Sequence, residues 1–306
     1  MSRINIEEIY SSLIQQFKED INKINGNIKV CIIQVGDNPN SNIYVSNKIK
    51  AFKEVGIKYD LFKYNEYITE EKLEQILDTI SNDDEYSGMF VQLPLPKQLD
   101  FNKLKLHINP TKDIDGFCDA NTINLYDNKY CLLPATPQAC DMLLNYLGIS
   151  LDGKITTVIN RSNIIGKPLV HLLANKNATV IWCNSHTNEE ALKNFCKSSD
   201  IIISGVNKAN IFDKSYFNDN SESNQIIIDL TTEYQDGKLY GSINREHYED
   251  IMKYNKLTTV GMKKFGMGKL TICSLIYNVI KSYKMQNKNI WRMFVRIKKY
   301  NKTKKR

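Results

Sequence analysis

Tyr44 and Lys48 are residues whose types and spacing could do chemistry. They lie in "YVSNKIKAFKEVGI" (residues 44–57), which reads as a helix. Residues four apart project from one side of a helix, one turn above the other. Ala51 and Phe52 follow on the same stripe, so part of this face looks inward. A lysine beside an apolar face can simply lay its stem along the core and keep its ammonium in water, and the stretch alone does not separate that reading from a working lysine.

A second candidate is "NRSNIIGKP" (residues 160–168). It follows the apolar run "ITTVI" and precedes a helical pattern, the context in which a glycine-rich turn and a helix N-terminus hold a dinucleotide pyrophosphate. Asn160 stands where a glycine is expected, and Asn is the least costly substitute if φ is positive. Gly166 permits close approach, and Pro168 suits a first helical position. After the next strand, "WCNSHT" (182–187) offers no acid for a ribose 2′-hydroxyl. Arg161, Ser185 and His186 would tolerate a 2′-phosphate, so the cofactor expected is NADP, with NAD as the alternative. Asn160, Arg161, Ser162, Gly166, Pro168, Ser185 and His186 are the candidate cofactor-binding residues. The competing reading is a plain α/β turn without a ligand.

The elements that must position these residues alternate. Ile6 to Ile24 has a helical apolar period. "IKVCIIQVG" is a continuous apolar run rich in β-branched residues, as in a buried parallel strand. The helix of Tyr44 and Lys48 follows, then the strand "KYDLFKY", a helix from Thr69 to Ile80 with Thr69 as N-cap, and the strand "GMFVQLPLP". "INPTKDIDGFCDAN" reads as a turn-rich loop, and "TPQACDMLLNYLGI" as a helix with Thr136 as N-cap and Pro137 at its first position. A second alternating set begins at Ile155 and runs through "ATVIWC", "DIIISGV" and "QIIIDL", and "LTICSLIYNVIKSYKMQ" closes the chain as a long helix. Strand–helix alternation means parallel sheets with crossover helices. The expected fold is α/β, two layers joined near residues 120–150, with the closing helix returning to the first.

Composition bounds the partners. The 306 residues are 42% apolar and 25% charged, as in a globular chain long enough for two domains. No run of eighteen apolar residues could span a membrane, and the N-terminus lacks a signal-peptide core. Seven cysteines with no C-x-x-C pair argue for free thiols in a reducing, cytoplasmic setting, or in an organelle with the targeting segment missing from this sequence. The net charge of +7 is concentrated in residues 285–306, which hold nine Lys or Arg and no acid. The remainder carries 32 basic and 34 acidic residues, so no nucleic-acid-binding footprint is expected. The tail reads as a solvated end or as a basic amphipathic stretch for an acidic partner. Four scattered His and seven Cys make a poor metal site, and none is expected.

Taken together, "YVSNKIKAFKEVGI", "GMFVQLPLP", "INPTKDIDGF", "PATP" and "RSNIIGKP" resemble, in order and spacing, the bifunctional methylenetetrahydrofolate dehydrogenase/cyclohydrolase family. The resemblance runs from about residue 30 to about 210, and more loosely to the final helix. It implies a folate-side domain over residues 1–135 plus 270–306, a Rossmann-like NAD(P)-binding domain over 136–269, and a cleft between them. It implies that Tyr44 stacks on the folate and that Lys48 is the general acid/base. A lysine serves there only if desolvation or a nearby cation lowers its pKa. The resemblance gives Gln92 the task of tuning Lys48 without holding it protonated, and Asp115 that of gripping the pterin. On its residues alone, Asp115 could instead be a turn aspartate before a glycine. Pairing through the Rossmann domains would make a homodimer.

The departures gather on the cofactor side. Asn160 replaces a glycine, His186 an arginine, and "IDLTTE" (228–233) replaces "IDVGIN". The family's "PVPGGVGPMT" loop reads "TVGMKKFGMGKLT" (259–271), about three residues longer and without its prolines. Three activities are open: the full bifunctional enzyme, a cyclohydrolase whose dehydrogenase step is weak or lost, or a folate-binding or scaffold protein without turnover.

Overall fold

The computed structural model describes residues 4–24, 27–220, 223–235, 237–259 and 266–287. Residues 260–265 of the altered loop (259–271) and the basic tail from 288 lie outside the described residues. The helices are α1 (Ile6–Ile24), α2 (Pro39–Val55), α3 (Glu70–Ser81), α4 (Phe101–Leu104), α5 (Asp119–Tyr126), α6 (Ala135–Tyr146), α7 (Gly166–Ala174), α8 (Glu189–Ser198), α9 (Tyr248–Met252) and α10 (Gly268–Gln286). The strands are β1 (Lys29–Val35), β2 (Lys58–Tyr64), β3 (Gly88–Val91), β4 (Ile155–Ile159), β5 (Thr179–Cys183), β6 (Ile201–Ser204), β7 (Ile226–Asp229), β8 (Glu233–Gln235), β9 (Lys238–Tyr240) and β10 (Lys256–Thr258). The chain divides into two compact units, one of residues 14–124, 130–133 and 275–306, the other of 1–13, 125–129 and 134–274.

The first of these units is built on a parallel sheet in the order β2-β1-β3. β1 is central and buried along nearly its whole length, which is why its sequence is apolar without alternation. Cys31, Ile33 and Val35 face Leu73 and Leu77 of α3. Asn38 caps α2, its side chain accepting from the amides of Asn40 and Ser41, and Pro39 fills the first helical position, where no amide partner is needed. Thr69 caps α3 as expected, accepting from the Lys72 amide. The C-terminal half of α10 returns to this unit: Asn278 donates to the carbonyls of Ile114 and Leu133, and Ser282 to those of Ser87 and Thr111.

The second unit holds a five-stranded parallel sheet, β10-β7-β6-β4-β5, and a small β8–β9 hairpin. From β4 the chain passes to β5 on one side and to β6 on the other. The strand order therefore reverses between β4 and β6, the topological switch point where open α/β sheets bind ligands. Ile159, Cys183, Ile202, Ile227 and Leu257 form its core with Phe212 and Tyr248.

Three local expectations are corrected. α6 begins at Ala135 with Pro134 before it, so Thr136 is inside the helix and makes no side-chain cap, and Pro137 stands third. Proline is accepted there because the first-turn amides have no intrahelical partner. The end of "INPTKDIDGFCDAN" is helical rather than loop, since α5 starts at Asp119. α2 starts five residues before Tyr44 because Asn38 and Pro39 supply the start signal.

Candidate active site

Lys48 sits on the buried face of α2, between Val45 and Phe52, which are 3% and 0% exposed. Its Nζ donates to Gln92 Oε1 at 3.2 Å, lies 3.8 Å from Asp115 Oδ1 and stands 3.9 Å above the Phe90 ring. Phe90 and Gln92 alternate along one face of β3 and its extension, so a period of two presents both to α2. The Gln92 amide is oriented by its own Nε2, which donates to the Leu93 carbonyl at 2.6 Å and leaves Oε1 towards the lysine.

Asp115 reaches the lysine because the preceding segment runs beside β3. The Met89 amide donates to the Lys112 carbonyl at 2.7 Å, and the Ile114 amide to the Met89 carbonyl at 3.3 Å. Gly88 makes that approach possible, since a Cβ there would stand 2.4 Å from Ile114 Cγ2. The turn role open to Asp115 falls to Asp113. Its carboxylate accepts from the amides of Gly116 and Cys118 at 3.0 and 2.7 Å and from Asn121 Nδ2 at 3.2 Å. Asp115 is thereby left to face Lys48. Phe90, Asp113 and Asn121 escape a sequence reading; the signal for Phe90 was its place two residues before Gln92.

Electrostatics set the character of the pair. Burial pushes the Lys48 amine below the ordinary lysine range, and the Asp115 charge opposes that only in part. Burial likewise raises the Asp115 carboxyl, against the pull of Lys48. The side chains are 19% and 14% exposed, so a solute can reach them while most of their water is excluded. Such a lysine gives up its proton more readily than an exposed one, which suits it to take and return a proton. Tyr44, one turn before it, is 55% exposed and presents an open ring.

In the other unit, the β4–α7 turn gathers four of the cofactor-site candidates. Asn160 Oδ1 accepts from the Ser162 amide and hydroxyl, both at 2.8 Å, and its Nδ2 donates to the Gly205 carbonyl at the end of β6. Ser162 Oγ in turn accepts from the amides of Ile165 and Gly166. Asn160 does not adopt a positive φ. Its side chain, not a glycine-like backbone, shapes the turn. Gly166 is required for space, because a Cβ there would lie 2.2 Å from the Asn160 carbonyl oxygen. Pro168 stands third in α7, not first, because the helix begins at Gly166.

Arg161 is exposed, as are Ser185 and His186 beyond β5, where Asn184 organises the turn by accepting from the His186 amide at 2.9 Å. A guanidinium, an imidazole and a hydroxyl without a carboxylate at the end of β5 form a donor set suited to a phosphate rather than to a bare ribose hydroxyl. The residues present therefore fit NADP. In "IDLTTE", Asp229 is buried and accepts from Ser242 Oγ at 2.8 Å and Thr259 Oγ1 at 2.9 Å, while Glu233 accepts from the Ala209 amide.

Residues 4–115 match the family model described as tetrahydrofolate dehydrogenase/cyclohydrolase, catalytic domain, and residues 134–287 its NAD(P)-binding domain. The chain is 37% identical over 282 residues to the bifunctional protein FolD of Nitrosopumilus maritimus (strain SCM1), covering 91% of this chain and 95% of that one. It is 33% identical to the protein of the same name from Clostridium novyi (strain NT), over 92% and 99%. Among solved structures, the bifunctional enzyme FolD, methylenetetrahydrofolate dehydrogenase/cyclohydrolase, from Campylobacter jejuni superposes with a TM-score of 0.86 at 30% identity, covering 94% of this chain and 99% of that one. The bifunctional 5,10-methylenetetrahydrofolate dehydrogenase/cyclohydrolase from Thermoplasma acidophilum gives 0.84 at 27% identity, over 94% and 99%. With both halves matched in order across most of its length, the chain belongs to the tetrahydrofolate dehydrogenase/cyclohydrolase family.

Proposed function

We propose that the chain oxidises 5,10-methylenetetrahydrofolate to the methenyl form with NADP and hydrolyses that product to 10-formyltetrahydrofolate. The observation that carries the reading is the buried Lys48 amine held between the Gln92 amide and the Asp115 carboxyl. NADP, when bound, supplies the acceptor for the hydride that leaves the methylene carbon; Arg161, Ser185 and His186 would hold its 2′-phosphate. Tyr44 stacks on the folate and Asp115 accepts from the donor edge of the pterin. In the second step water adds to the methenyl carbon, and the neutral Lys48 amine takes its proton. That proton passes to the ring nitrogen as the carbon–nitrogen bond breaks, and the hydroxyl proton of the hydrate leaves through the freed amine to solvent as the formyl carbonyl forms, so one proton is released overall.

Gln92 helps keep this cycle reversible at the lysine, because an uncharged acceptor at 3.2 Å orients the amine without adding a second negative charge to that of Asp115 at 3.8 Å. Gln92→Glu tests the assignment. A carboxylate at that distance stabilises the ammonium, so the Lys48 pKa rises. The rate of methenyl hydrolysis, which grows as the amine deprotonates, should then rise at a pH higher by about one to three units. An unchanged pH profile in a folded variant would remove Lys48 as the proton carrier.

A second reading, a cyclohydrolase without its dehydrogenase step, draws on Asn160. Its side chain spans from β4 to the Gly205 carbonyl, at the switch point where the family pattern has a glycine. We favour the bifunctional reading because the exposed donors around the turn remain suited to NADP. The seven cysteines, all free and buried, support placing the enzyme in the cytoplasm. The family's pairing through its dinucleotide-binding domains is the ground for a homodimer.

A further inference from the structure

Trp182 is a large apolar side chain left half in water beside a candidate phosphate site. It is the next-to-last residue of β5, an edge strand, and pairs in register with Val158 of β4. Its indole Nε1 donates to the Asn160 carbonyl at 2.7 Å, so the ring is tied to the first residue of the β4–α7 turn. Ring orientation is therefore fixed, yet the residue is 46% exposed. A tryptophan held by its one polar atom while about half of the residue stays in water can serve as a preorganised stacking surface, because little side-chain freedom remains to be lost on binding.

Its position decides what would stack there. In a doubly wound sheet the pyrophosphate lies at the start of the first helix, and the adenosine ribose at the end of the second strand. Here those places are the 160–166 turn and residues 183–186, and Trp182 is bonded to the one and adjoins the other. Arg161, next in sequence to Asn160, and Ser185 and His186, just beyond the end of β5, are exposed and supply donors for phosphate, whereas the adenine offers an uncharged aromatic face. We propose that the exposed face of the Trp182 indole is the platform on which the adenine ring of the dinucleotide stacks. This rests on the reading that the chain binds NADP.

Titrating NADP and, separately, adenosine 2′,5′-bisphosphate into the full chain tests the proposal, with tryptophan emission and calorimetry read together. The expected result is quenching of an emission component that Trp182→Ala lacks. Kd for both ligands should rise about ten- to a hundredfold in that variant, the usual loss when a base-stacking aromatic is truncated. Trp182→Phe keeps a ring but lacks the Nε1 bond that orients it, so its Kd should fall between those of wild type and Trp182→Ala. Equal affinities in Trp182→Ala and wild type overturn the platform, as does a Trp182→Phe loss equal to that of alanine; in both cases the dehydrogenase reading stands. Wild-type emission unchanged at saturating ligand also overturns it, with no variant needed. A wild-type chain that binds neither ligand by calorimetry overturns the NADP reading and the platform together.

Discussion

Lys48→Met should slow hydrolysis of methenyltetrahydrofolate by about 10²–10⁴-fold, the range that a positioned proton carrier contributes. Methionine keeps an unbranched stem of similar length between Val45 and Phe52, so the packing of α2 is retained while the amine is lost. Lys48→Arg sharpens the result. A guanidinium stays charged in proteins, so it preserves the positive charge beside Asp115 but cannot cycle a proton. If charge alone were needed, arginine would rescue activity. The proton-carrier assignment expects it to be as slow as methionine in a stopped-flow decay of the methenyl absorbance.

Gly166→Ala should damage the dinucleotide half and spare the folate half. A methyl at this site would sit 2.2 Å from the Asn160 carbonyl oxygen and 2.7 Å from its Oδ1. The turn therefore has to move, which breaks the Asn160–Ser162 bonds and the tie to Trp182. Overpacking of this kind costs about 1–3 kcal/mol. Thermal unfolding should shift down accordingly, and calorimetry should show NADP binding weakened beyond detection. Lys48, Gln92 and Asp115 belong to the other compact unit, so methenyl hydrolysis by the folded variant should remain near wild type. Equal loss of both activities would show that the turn does not act locally.

Most strands and long helices were legible because burial writes itself into periodicity. β1 and β4 are apolar runs bounded by turn residues, and α3 carries its own cap at Thr69. What escaped is decided by tertiary contact. α5 has too little periodicity to announce a helix, and β8, β9 and β10 are three residues each. In the candidate site, Tyr44 and Lys48 were visible as a pair, but a carboxylate 67 positions later in the chain could not be matched to the lysine by spacing. Nor could sequence tell which aspartate of "DIDG" would serve the turn. That depends on Asp113 meeting the Cys118 amide and Asn121. The same holds for Asn160, whose role follows from where its side chain finds partners and not from its φ.

The most direct test of the account gives the purified protein 5,10-methylenetetrahydrofolate with NADP while reduced nicotinamide is followed by fluorescence; in parallel, it receives the methenyl compound while its absorbance is followed. The account predicts activity in both arms, with the second abolished by Lys48→Met. Decay of the methenyl compound without any nicotinamide reduction would contradict it, and would leave a cyclohydrolase whose cofactor half no longer works.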